Sequence, residues 1–150
     1  MEIEAASDLP AVRLGGVTIR FVHSQAADPY SLIEWTAPPG APAPPVHLHR
    51  RTVEGFYGLS GTFSFLVAAQ TLELKPGAHI LVPPGQPHTF WNAGDESASC
   101  LILLSPAGFE RYFRELAERL GADQSEEAAL SVRRELSARY DIEVVGPAPD

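Results

Sequence analysis

A chain of 150 residues, 45% hydrophobic and 20% charged, is long enough to bury a core and reads as one globular domain. Its formal net charge of -8, with no basic cluster longer than Arg50-Arg51 or Arg133-Arg134, argues against nucleic acid and anionic membrane as partners, since both require phosphate to be neutralised by Lys or Arg. The acidic opening MEIEAASDLP lacks the cationic start and apolar core of a secretion signal, no apolar run reaches the roughly 18 residues of a membrane span, and the lone Cys100 excludes an intrachain disulfide; a cytoplasmic location is expected.

From Ala11 to Leu104 the chain reads as short β-prone runs broken by Pro and Gly. They are Val17 to His23, Tyr30 to Thr36, Val46 to His49, Val53 to Leu59, Thr62 to Val67, Thr71 to Leu74, His79 to Val82, Thr89 to Asn92 and Ala98 to Leu104. Turn signals such as Ser60-Gly61 and Lys75-Pro76-Gly77 separate them, which predicts an antiparallel sandwich or barrel. Cys100 lies in an apolar run and reads as a small buried hydrophobe. Trp35 and Trp91 read as exposed aromatics available for a subunit contact.

The character changes at Ser105-Pro106, a helix-start signal. Phe109, Phe113, Leu116 and Leu120 recur at helical spacing and predict one amphipathic helix closed by Gly121. Asp123 or Ser125 can cap a second, striped by Ala129, Val132, Leu136 and Tyr140, and Ile142 to Val145 reads as a last strand. The helices are expected to cover the β-structure and to carry no chemistry of their own.

The chemistry concentrates in two stretches. Gly77 to Asn92 (GAHILVPPGQPHTFWN) ends a strand at a proline-glycine turn and re-enters the sheet with His88 leading. Upstream, His47 and His49 are two apart and share a strand face, whereas Glu54 has the opposite parity and needs an intervening turn to join them. Given that turn, three imidazoles and a carboxylate can converge on one point. Such donors suit one divalent transition metal ion, Fe, Mn, Ni, Co, Cu or Zn, and the lack of cysteine ligands argues against a thiolate structural zinc site. Four protein ligands leave one or two positions for water, dioxygen or substrate. With Glu54 and His88 inward, alternation turns Phe56 and Phe90 inward too, and one of the parity-linked pair Phe63 and Phe65 should join them. These four rings are the expected lining of a pocket for an apolar or aromatic small molecule, with plain core packing as the alternative. His23 and His79 are expected at the surface or rim.

The two stretches resemble the two motifs of the cupin superfamily. His47, His49, Glu54 and Gly61 stand at the spacing of its first motif, with Gly40 one residue too far upstream, and Gly77, Pro83, Gly85, His88 and Asn92 match the second without exception. The resemblance implies a mainly β fold, a cupin jelly-roll β-barrel over about 11–104, with two C-terminal α-helices as a cover over about 106–140 and a short terminal strand at 142–145. It also implies that His47, His49, Glu54 and His88 bind metal inside the barrel mouth, and that the protein is a homodimer built through edge strands and the N-terminal segment. Gly61 and Gly85 would take positive φ in tight turns, Pro83 would stiffen the approach to His88, and Asn92 would tie a turn through its side chain.

Beyond the motifs, EGFYGLSGTFSFLV, SPAGFERYFRELAERLG and ARYDIEVVGP resemble small cupins of the quercetin-2,3-dioxygenase-like group. That resemblance implies a metal-dependent dioxygenase of quercetinase type, acting on a small aromatic or enolisable oxygenated compound, with Glu54 as the catalytic residue that relays the substrate proton. Two alternatives stand beside it: a metal-dependent cyclase or isomerase resembling the cupin polyketide cyclases, and a non-catalytic cupin that binds or senses a small molecule.

Overall fold

The computed structural model describes residues 2–150. Its strands, numbered in chain order, form two sheets. The larger runs β1 (Ala11–Leu14), β2 (Val17–His23), β3 (Ser31–Ala37), β10 (Ala98–Ser105), β5 (Val53–Ser60) and β8 (His79–Val82). The smaller runs β11 (Glu143–Gly146), β4 (Val46–Leu48), β9 (His88–Trp91), β6 (Phe63–Val67) and β7 (Gln70–Leu74). Every pairing is antiparallel, as the short, turn-bounded runs predict.

Period-two alternation places the core between the sheets. On β10, Ala98, Cys100, Ile102 and Leu104 are buried, and Ile102 is in register with Ile33 of β3 and Phe56 of β5. Facing them, β6 contributes Phe63 and Phe65 and β9 contributes Phe90. The rings interlock: Phe56 meets Phe65 edge-on at 5.0 Å and Phe90 at 5.2 Å between centroids, while Phe65 stacks on Phe90 at 5.3 Å. Tight backbone approach fixes the C-terminal end of β5. A Cβ on Gly58 would lie 2.3 Å from the Lys75 carbonyl oxygen, and one on Gly61, at φ 61°, would lie 2.5 Å from that of Ser97. The outer face of the larger sheet exposes Tyr57, Leu59, Leu81 and Leu103.

The helices are α1 (Arg111–Leu120) and α2 (Glu126–Leu136). The first does not start at Ser105-Pro106: residues 106–110 form a turn, broken from the helix by Gly108 at φ 129°. Glu110 closes this turn on itself and onto the barrel, accepting hydrogen bonds from the Gly108 amide at 2.7 Å and the Ser24 hydroxyl at 2.8 Å. Phe113, Leu116 and Leu120 keep the apolar stripe, whereas Phe109 falls in the turn and faces elsewhere. Ser125 is the cap of α2, its hydroxyl accepting from the Ala128 amide. Trp35 is not exposed as expected. Its place on β3 turns it inward, 5.1 Å from Phe90 and 5.5 Å from Phe113, so α1 packs its aromatic face on the barrel interior. Among the described residues no helix is long and apolar enough to cross a membrane.

Glu110 has 0% exposure yet keeps its charge: burial alone would raise its pKa, but the Ser24 hydroxyl and Gly108 amide hold it below its ordinary 4.5. A carboxyl depressed in the folded state stabilises fully above its unfolded pKa, and that contribution is lost as pH falls through the folded value. Glu110→Gln is therefore expected to cost about 1–3 kcal/mol at neutral pH and to flatten the loss of stability below pH 4.5. Urea unfolding followed by circular dichroism across the acid range checks this; an acid profile identical to the parent's would refute it.

Candidate metal centre

The four expected ligands arrive from both sheets. His47 sits on β4, directly opposite His88 on β9, and His49 stands just past the end of β4. Residues 49–52 make the turn that the parity of Glu54 demands, and β5 then carries Glu54 into the interior from the larger sheet. The four donor atoms lie within 4.8 Å of one another. Exposure is 9% for His47, 2% for His49, 5% for Glu54 and 0% for His88, so the group is nearly sealed from water.

Each imidazole is oriented by a backbone carbonyl behind it. His47 Nδ1 donates to Pro45 at 2.9 Å, His88 Nδ1 to Gln86 at 2.9 Å, and His49 Nδ1 to Asp141 at 2.5 Å. A carbonyl oxygen can only accept, so Nδ1 carries the proton in all three rings, and every neutral ring presents its Nε2 lone pair to the shared centre. There the lone pairs meet the Glu54 carboxylate, Oε2 lying 2.6 Å from His88 Nε2 and 3.3 Å from His49 Nε2. His49 Nε2 is buried without a hydrogen-bond partner. Lone pairs facing a carboxylate in a buried site repel unless a proton or a cation lies between them. The donor set therefore fits a divalent ion held by three imidazole Nε2 atoms and one carboxylate, with no thiolate.

The charges point the same way. Burial, reinforced by neighbouring His88, holds His47 down at about 4, so this ring is neutral at physiological pH and free to ligate. For Glu54 burial pushes upward, yet a proton or cation shared with the facing nitrogens of His49 and His88 outweighs it and keeps the carboxyl ionised. Burial opposes protonation of His49 too, yet Glu54 and the Asp141 carbonyl raise its affinity for a proton. A negative charge and an unpaired lone pair thus sit together in a buried place.

Asp141, which no local sequence signal marks, organises the turn between the candidate ligands His49 and Glu54. Its carboxylate accepts from the amides of Arg50 at 2.7 Å, Arg51 at 2.9 Å and Thr52 at 2.8 Å, and from the Thr52 hydroxyl at 2.8 Å. Its carbonyl holds His49, and β11, which follows at once, pairs with β4. The ring of Phe109 meets that of His49 at 4.4 Å. The second motif works as expected in the backbone: Gly85, at φ 79°, donates its amide to the His49 carbonyl at 2.6 Å. Asn92 bridges the end of β3 to the turn at Glu96 through its side-chain amide.

The other singled-out residues separate from the ligand group. Phe56, Phe63, Phe65 and Phe90 are buried and packed on one another. Cys100 is buried, which pushes its thiol pKa well up and leaves it a core residue. His79 is exposed, and His23 lies at the rim, 2.6 Å from Asp28.

Comparison with known proteins agrees with this architecture. The family described as Cupin domain matches residues 33–104, a span containing all four candidate ligands. A search of curated proteins found no match. Among solved structures, the chain is similar to the polyketide cyclase RemF from Streptomyces resistomycificus, with 26% identity and a TM-score of 0.60 over 70% of this chain and 79% of that one. It is similar to a sugar phosphate isomerase of the cupin superfamily from Silicibacter pomeroyi, with 16% identity and a TM-score of 0.63 over 71% of this chain and 76% of that one. It is also similar to Streptomyces PAC13 solved with uridine, with 13% identity and a TM-score of 0.62 over 100% of this chain and 98% of that one. The fold is the mainly β cupin fold with two helices.

Proposed function

We propose that this chain is a metal-dependent enzyme acting on a small aromatic or enolisable oxygenated compound, with His47, His49, Glu54 and His88 as the ligands. The observation that carries the proposal is the common orientation of the three imidazoles, whose Nδ1 protons are all committed to backbone carbonyls and whose Nε2 atoms all face Glu54. When bound, a divalent ion supplies Lewis acidity toward a carbonyl or enol oxygen. Glu54 is the group placed to hold the substrate proton, since its carboxylate reaches the shared centre beside His49 and His88. The rings of Phe56, Phe63, Phe65 and Phe90 pack on one another as core, Phe90 being the least enclosed at 7%. Near-complete burial of the ligands keeps water from the reacting atoms.

Dioxygenation of quercetinase type is the first reading, resting on the sequence resemblance. A second reading, cyclisation or isomerisation without oxygen, is favoured by the similarity to RemF, a polyketide cyclase. Turnover of flavonols and enolisable diketones by protein loaded with iron, manganese, nickel, cobalt, copper or zinc separates the two. Oxygen uptake matching substrate loss supports dioxygenation, equal product under argon supports cyclisation, and no turnover with any of these compounds counts against both.

A further inference from the structure

The chain is acidic overall, yet a cavity of about 540 Å³ beside the ligand group is lined by Arg51, Arg111 and Arg139. A volume of this order accommodates a small molecule. Arg139 is neutralised by Glu115. Arg51 and Arg111 have no carboxylate within ion-pair reach among the described residues. The guanidinium of Arg111 lies over the turn at Gly108, Nη2 standing 3.7 Å from where a Cβ would be. The one acid in the lining, Asp141, spends its carboxylate on the four donors of the 50–52 turn.

Two features join this cavity to the ligands. Phe109 lines it and also packs on His49 at 4.4 Å, so its ring lies between the cleft and that imidazole. Thr52 lines it as well, two residues before Glu54 on the same turn and strand. Unpaired guanidinium groups facing a cleft are matched by oxyanions, which accept from their planar forks through two oxygens at once.

We infer that this cleft docks the anionic group, a carboxylate or a phosphate ester, of an organic substrate whose other end reaches the ligand group past Phe109. The anionic group sits between Arg51 and Arg111. The inference rests on the metal-dependent reading for what happens at the far end of the substrate, but anion binding itself is independent of it.

The test uses zinc-loaded, ¹⁵N-labelled protein titrated with benzoate and with phenyl phosphate and followed by amide chemical shifts. Saturable shifts confined to residues 51–52, 106–111 and 139–141 are expected, and the tighter probe identifies the source as carboxylate or phosphate. The double variant Arg51→Gln/Arg111→Gln should weaken binding by about tenfold or more, because charge-assisted hydrogen bonds are lost. Its zinc content should equal the parent's, since neither side chain touches a ligand. The absence of saturable shifts with both probes, shifts centred on Arg133 and Arg134, or unchanged affinity in the double variant would overturn the inference. Full zinc content without anion binding sinks the cleft alone; anion binding to protein that retains no zinc supports the cleft and sinks the metal-dependent reading.

Discussion

Replacing His88 with alanine is expected to lower affinity for a divalent ion by more than about a hundredfold, so that elemental analysis after dialysis finds the variant empty where the parent keeps its metal. The reason is position. His88 is the most enclosed of the four donors, opposes His47 across the β4–β9 pairing, and approaches Glu54 at 2.6 Å. Alanine there also leaves a cavity in a fully buried place, so the metal-free variant should be less stable than the metal-free parent by about 3 kcal/mol. Metal removal from the parent has the same direction. An ion at a hundredfold excess over its dissociation constant stabilises the folded state by about 2.7 kcal/mol, and a chelator should lower the melting temperature accordingly. A melting temperature indifferent to chelator, together with a His88→Ala variant that keeps its metal, would remove the basis of the site.

The second large effect is at Asp141. Its carboxylate carries four hydrogen bonds to the 50–52 turn and its carbonyl fixes the ring of His49, so Asp141→Ala loosens the spacing between His49 and Glu54. We expect a loss of about 10–100-fold in metal affinity and of about 2–3 kcal/mol in stability. Asp141→Asn, which retains one accepting oxygen, should fall between. The carboxyl is held below its ordinary 3.8 despite partial burial, by the amides of Arg51, Arg50 and Thr52 and the Thr52 hydroxyl. Its stabilisation is therefore fully present above pH 3.8 and lost only as pH falls through the folded value, so the alanine effect should be undiminished at neutral pH. Zinc competition titrations measure the affinity, and parent-like binding by Asp141→Ala would show that the clasp is dispensable.

The legible part of this protein is the part encoded at short range. The ligand quartet declares itself through residue type and spacing, because a strand has a fixed side-chain period and a short turn has a fixed reach: His47 and His49 two apart, Glu54 across a turn, His88 after a proline-glycine bend. The β-runs declare themselves for the same reason, although β1 was not singled out because its four residues carry little pattern. What escaped depends on contacts between distant segments. Asp141 is an acid ahead of a short strand, and nothing nearby in the sequence says that its carbonyl meets a histidine on β4's far end. Phe109 has the spacing of a helical stripe, but the turn at Gly108 and the Glu110 carboxylate delay the helix to Arg111 and leave the ring against His49. Trp35 looked free because its neighbours in sequence do not show that α1 folds back over it. Arg51 and Arg111 are unremarkable until the fold sets them around one cavity.

The clasp on His49 is made by a residue 92 positions further along the chain. A ribosome releases its product from the N-terminal end, so His47, His49, Glu54 and His88 all emerge well before Asp141. His47 and His88 find their carbonyl acceptors two residues away, whereas His49 has its own only when Asp141 arrives. The orientation of His49 is therefore completed only once the C-terminal segment has joined the barrel.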